Sequence, residues 1–200
     1  MSGLTTWPIR VAPLPGEALD SWLETCAQRM DALLGEVLIA AGLLGDPQIS
    51  RRQELPPNYT IYLTDAEASR LSRASGVAVA QLHAMTLRAY DGQAIRFDPD
   101  KRAVARATLW GKGEGSRYCP QCLDQRGGRW LLRWRLSWVF ACTRHRILLA
   151  DRCPGCGQET RLHRPRRAAF SLSRPGFVGD SQPCEGRSHA STEEVPGRSA

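Results

Sequence analysis

The chain has 200 residues, 42% of them apolar and 24% charged, which suffices for one ordinary domain or two small ones with a buried core. Its apolar runs are broken by Gly42, Arg133 and Arg135, and none nears the roughly 18 residues a spanning helix needs, so no membrane role is expected. The formal charge of +7 is uneven: residues 1–100 carry 8 basic and 12 acidic side chains, residues 101–167 carry 16 and 4, and residues 168–200 carry 3 and 4. Met1 to Arg10 has no basic start followed by an apolar stretch, so no signal peptide is expected and the chain reads as cytoplasmic.

After Leu14-Pro15-Gly16-Glu17, the residues Leu19, Trp22, Leu23, Cys26, Met30 and Leu33 fall at helical spacing and predict one apolar face. Cys26 on that stripe reads as a small buried hydrophobe. A second short helix is expected from about Glu36 to Leu44, and residues 46–59, with three prolines, read as a connection. Thr64 followed by Glu67 has capping-box spacing and opens a helix to about Ala74. A turn at Ser75-Gly76-Val77 leads to another helix from about Val79 to Ala89. Leu71, Val77, Leu82 and Met85 would point inward, which is helix-turn-helix spacing over residues 64–90. An ordinary helical hairpin fits the same pattern. The second helix would turn Gln81, His83, Thr86 and Arg88 outward, a surface poor in charge for gripping phosphates. A weak strand is expected near Ile95–Phe97.

Seven cysteines without an export signal point to metal or redox chemistry before disulfides. Cys119-Pro120-Gln121-Cys122 is a knuckle in which two thiolates two residues apart can reach one tetrahedral ion. Cys142 and His145 repeat that spacing, and the four together complete a closed zinc site. Cys153-Pro154-Gly155-Cys156 starts a second site, with Cys184 as its third ligand, His189 as a fourth and His163 as an outsider. Spacing also allows a swapped arrangement in which Cys153 and Cys156 complete the first site.

Between the first ligand pairs, Trp130, Trp134 and Trp138 recur every four residues, along one helical face. This stripe is expected to pack the small zinc module rather than to form an exposed base-stacking platform. The candidate nucleic-acid contacts are Arg129, Arg133 and Arg135 on the other face, with Arg144, Arg146 and Arg152. Arginine clusters neutralise phosphates and steer toward nucleic acid, although a merely solvated face has the same composition.

Two stretches together resemble the TniQ family, the target-selection proteins of bacterial transposons. One is Pro13-Leu14-Pro15-Gly16-Glu17-Ala18-Leu19 running into Ser21-Trp22-Leu23. The other runs from Arg117-Tyr118-Cys119 through Gly127-Gly128-Arg129-Trp130, Trp134-Arg135-Leu136, Cys142, His145 and Leu148-Leu149 to Cys153-Pro154-Gly155-Cys156-Gly157. The resemblance implies metal ligands at Cys119, Cys122, Cys142, His145, Cys153 and Cys156. It also implies non-catalytic work, connecting target DNA or a target-bound nucleoprotein complex to the AAA+ ATPase that recruits the transposase. The expected fold is mainly α: a helical domain over 1–100 with the helix-turn-helix, zinc-ribbon modules over 115–165, and a flexible tail over 171–200.

Two other functions compete. A zinc-ribbon transcriptional regulator acting through the helix-turn-helix would need a charged recognition helix, which residues 79–89 do not supply. A zinc deaminase would need a His-x-Glu motif, which is absent, and a closed four-ligand site leaves no position for water. No Walker-type phosphate loop occurs, so an ATPase would be a separate partner. The acidic, apolar front half is better suited to that ATPase, or to a second copy of the chain, than to a duplex.

Overall fold

A computed structural model describes residues 6–45, 55–93, 95–98, 100–104, 115–154, 157, 159–161, 177–178 and 182–183. Helix α1 (Leu19–Arg29) has Asp20 in its first turn and Arg29 in its last, both matched to the helix dipole. Leu19, Trp22, Leu23 and Cys26 on it are wholly buried. Leu33 departs from the expected stripe. The chain leaves the helix through Asp31 at φ 51°, and Leu33 becomes the exposed residue preceding α2 (Leu34–Ala40). Helix α2 begins and ends earlier than expected, because Gly42 takes φ 68° just beyond it.

Residues 46–54 lie outside the described residues, but the stretch read as a connection ends in a short helix, α3 (Pro57–Ile61). Proline suits its first turn, where no intrahelical partner exists for an N–H. Helix α4 (Asp65–Ser75) starts at the expected capping box. Glu67 accepts from the Thr64 backbone N–H at 2.9 Å, and the Glu67 N–H donates to Thr64 Oγ1 at 3.3 Å. Gly76 at φ 77° ends it.

Helix α5 (Val79–Ala84) is shorter than expected. Thr86 adopts extended backbone and donates its hydroxyl to the His83 carbonyl at 2.8 Å, a local bond that competes with helix continuation. Thr86 is therefore fully buried rather than outward, and a 3-10 turn (Leu87–Tyr90) follows. Leu71, Val77, Leu82 and Met85 point inward as expected and join Trp7, Trp22 and the α2 residues in one core.

Strands β1 (Phe97–Asp98) and β2 (Ala103–Val104) form a short antiparallel pair. Helix α6 (Pro120–Gln125) follows, then a 3-10 turn (Leu132–Arg135) and the antiparallel hairpin of β3 (Ala141–Cys142) and β4 (Ile147–Leu148). Residues 129–138 do not form the expected helical face, since Leu131 and Leu136 are extended on either side of the 3-10 turn. The packing role of the tryptophans survives the change of backbone. Trp130 and Trp134 are each 1% exposed and meet edge to face at 5.7 Å. A last pair, β5 (Phe177–Val178) with β6 (Gln182–Pro183), belongs to the stretch expected as a tail, the rest of which lies outside the described residues. No helix among the described residues is long and apolar enough to cross a membrane.

The helical half and the cysteine-bearing half share a buried junction. Glu17 and Leu131 form an antiparallel bridge, with the Ala18 N–H donating to Trp130 O and the Leu132 N–H to Gly16 O, each at 2.9 Å. Gly16 at φ 68° makes this turn, and a Cβ there would meet Leu131 at 3.4 Å. Ala18, Leu87 and Ile95 from one half pack with Leu132 and Leu136 from the other.

Ion pairs cross the same seam. The Glu17 carboxylate is inaccessible to solvent and accepts from Arg129 Nε at 2.7 Å, Arg129 Nη2 at 2.5 Å, Ser21 Oγ at 3.1 Å and the Leu14 N–H at 2.9 Å. Asp20 receives Arg135 and, at 2.5 Å, Arg161, which also donates to Glu24 at 2.6 Å and lies over the Trp130 ring. Burial opposes the Arg161 charge, but Glu24 and then Asp20 outweigh it and raise its pKa.

Removing one member of a buried pair strands the other charge, at a typical cost of about 3–5 kcal/mol. Arg129→Met should therefore lower unfolding stability by roughly that amount, measured by urea denaturation. Combining it with Glu17→Met should recover more than half of the loss. A double variant no more stable than the single one would show that the pairing is not what Arg129 contributes.

Candidate metal centre

Cys119, Cys122, Cys142 and His145 converge although two elements supply them. Cys119 stands immediately before α6, where its sulfur accepts from the Cys122 N–H at 3.4 Å, and Cys122 lies on the first turn. Cys142 ends β3, and His145 sits in the turn before β4, closed by the Arg146 N–H to Cys142 O bond at 2.7 Å with Arg146 at φ 56°. The two ligand pairs are held by an outer layer: Tyr118 and Ala150 exchange both backbone bonds at 2.8 Å, and Trp130, Trp134 and Leu149 pack beneath the sulfurs.

The four ligand atoms all lie within 4.8 Å of one another. Cys122 and Cys142 sulfurs are 3.7 Å apart, and His145 Nδ1 lies 3.2, 3.3 and 3.6 Å from Cys119, Cys122 and Cys142. Around a tetrahedral ion with bonds of about 2.3 Å to sulfur and 2.0 Å to nitrogen, those edges would be roughly 3.8 and 3.5 Å. The donors fit a metal ion such as zinc, and Nδ1 is the imidazole nitrogen that would bind it. The structure thus groups these four rather than the swapped set. Cys153 is buried, but Cys156, Cys184, His163 and His189 lie outside the described residues, and with them the second site.

Metal-free, the thiols differ. Burial, then hydrogen bonds with Cys142 and Cys119, push Cys122 up to about 12. Burial also opposes ionisation of Cys142, but the His145 backbone N–H and then the bonds from Cys119, Cys122 and His145 bring it down to about 6. Cys26, away from the cluster, is pushed up to about 12 by burial and then by Glu17, which suits the inert packing role expected of it.

The six candidate arginines divide. Arg129 and Arg135 face inward onto Glu17 and Asp20, so they serve the junction rather than a nucleic-acid surface. The signal missed was their partners, more than a hundred positions upstream in sequence. Arg133, Arg144, Arg146 and Arg152 are exposed, Arg152 lying 3.8 Å from Glu159. Gln81 on α5 is exposed, whereas Arg88 in the 3-10 turn that follows donates to Asp65 and covers the Tyr62 ring. Burial, then Arg88, lowers the His83 pKa, so that ring is neutral at pH 7.

The TniQ family model matches residues 8–149, which take in the Glu17–Arg129 and Asp20–Arg135 pairs of the junction and all four clustered ligands. The chain belongs to the TniQ family. That family is linked to target selection in transposition, and its members are non-catalytic components of the transposition machinery. No curated protein matches the chain. Within this TniQ protein, the two stretches that carried the resemblance in sequence are the two faces of one buried junction.

Metal uptake at the cluster must displace the Cys122 proton, so binding releases protons and weakens as pH falls. Titrating zinc into metal-free protein in weak buffer at neutral pH should acidify the solution, and Cys119→Ser should abolish both the uptake and the acidification. Uptake by the variant equal to wild type would place the metal elsewhere.

Proposed function

We propose that this TniQ protein is a non-catalytic adaptor in DNA transposition, linking target DNA or a target-bound nucleoprotein complex to a AAA+ transposition ATPase. The observation that carries the proposal is the family match across residues 8–149. The cluster supports it: with zinc bound by Cys119, Cys122, Cys142 and His145, all four tetrahedral positions are protein atoms, which leaves none for a reacting water. The ion then does structural work, replacing core in a segment whose other buried side chains are few.

The division of labour follows charge. Arg133, Arg144, Arg146 and Arg152 lie in the strongly basic segment and offer guanidiniums to phosphate oxygens. The net acidic front half, with α4 and α5 in helix-turn-helix order, serves as a protein-docking surface for the ATPase or for a second copy of the chain. Against the competing transcriptional-regulator function stand the six-residue length of α5, the burial of Thr86 and the capture of Arg88 by Asp65.

The test is a reconstituted insertion reaction containing transposase, ATPase and target. Adding this chain should raise insertion at the target above the untargeted background without adding any nucleotide hydrolysis of its own, and Cys142→Ser should remove the effect. Targeted insertion at the same level without the chain would refute the adaptor role.

A further inference from the structure

A cavity of about 310 Å³ opens where the helical half meets the cysteine-bearing half. Arg126, Arg133 and Arg144 line it from three places in the chain, beside Tyr90, Pro15 and Leu131. Within the described residues its arginines are not among those that the fold pairs with a carboxylate, and in this they resemble Arg29, Arg73, Arg117 and Arg146. Arg88, Arg102, Arg129, Arg135, Arg152 and Arg161 each have a carboxylate partner. Arg126, Arg133 and Arg144 have no ion-pair partner among the described residues.

Arg126 is held in place by the junction itself. Its Nη2 donates to Pro15 O at 3.0 Å and its Nε to Arg129 O at 3.4 Å. Cys122 also lines the cavity, and with a divalent ion bound its cluster would not neutralise the three arginines. Three thiolates and a neutral imidazole around a divalent ion sum to about −1, which leaves the three guanidiniums about two charges in excess.

We propose that this cavity seats one backbone phosphate of a nucleic-acid strand, with Arg126, Arg133 and Arg144 converging on its oxygens. Pro15, Leu131 and the Tyr90 ring give the attached sugar an apolar wall. Guanidinium forks match phosphate geometry, and three of them lining one small cavity suit a single anion better than a row of separate phosphates. The site deepens the proposed function and rests on its reading that Arg133 and Arg144 meet phosphate. It also places the contact at the junction, so a strand can seat only when the two halves are joined.

The experiment measures binding of the full-length chain to a short labelled DNA duplex across a salt series. Wild type is compared with Arg133→Gln, Arg144→Gln, the triple variant with Arg126→Gln, and Arg29→Gln, an exposed arginine at the end of α1, as a control away from the cavity. Arg126 helps hold Pro15, so the two single variants keep the test valid if the triple one folds poorly. Each single variant should weaken binding several-fold at fixed salt. Because all three arginines act on one phosphate, the triple variant should lower the log–log salt slope by about 0.9 in total, not by that amount three times over. Arg29→Gln should leave both the affinity and the salt slope as in wild type.

A slope that falls by about three times 0.9 would assign the arginines to separate phosphates and overturn the single seat. Salt-dependent binding by wild type, equalled by the cavity variants, would overturn the seat and leave the adaptor function standing. No binding of DNA by wild type would overturn the seat together with the direct DNA contact. Calorimetry with inorganic phosphate separates the two sources of this chemistry. Uptake of phosphate that the triple variant loses, with duplex binding unchanged, would make the cavity a free-anion site and overturn the strand assignment.

Discussion

Glu17 and Asp20 stand at the start of the central helix, both almost entirely removed from water, and the arginines that face them come from the far half of the chain. A carboxylate in such a place is tolerated only when charge and hydrogen bonds surround it. The helical core therefore cannot close as it does unless Arg129, Arg135 and Arg161 arrive. The reverse holds as well. Those arginines are tied to a segment whose own core is two tryptophans, a tyrosine, a few leucines and the cysteine cluster. Each half supplies what the other lacks.

The cluster bears on the junction through a short path. Cys122 opens α6, and that helix ends in the turn that delivers Arg126 and Arg129 to Pro15, Ala12 and Glu17. Cys142 and His145 fix the hairpin that follows the Trp130–Trp134 pair. Ordering of the four ligands thus fixes both ends of the segment that carries the junction arginines. In an adaptor, such coupling would keep a target-facing basic surface and a protein-facing acidic one in a constant relation, which a flexible linker would not.

Much of the site was legible in the sequence because it is local. Two ligand pairs, each separated by two residues, state their chemistry by spacing alone, and Thr64 with Glu67 does the same for a helix start. The tryptophan repeat was legible as packing but not as backbone. Spacing of four also suits a 3-10 turn flanked by extended residues, once neighbours dictate the path. The junction was not legible. Charge counts by segment showed an acidic front and a basic centre, but not that Glu17 and Asp20 are matched to particular arginines at long range. For the same reason Arg129 and Arg135 looked like surface cations. Arg126 and Tyr90 carried no spacing signal, since the cavity between them exists only after the halves meet.

The claim that the halves fold as one unit is tested most directly by following thermal unfolding with two probes at once. Far-ultraviolet circular dichroism reports the helices, and metal release to a chromophoric chelator reports the cysteine cluster. With the buried pairs as described, both signals should move through a single coincident transition, and Arg129→Met should shift the two together to lower temperature. Two separated transitions, with Arg129→Met moving only one of them, would contradict the account.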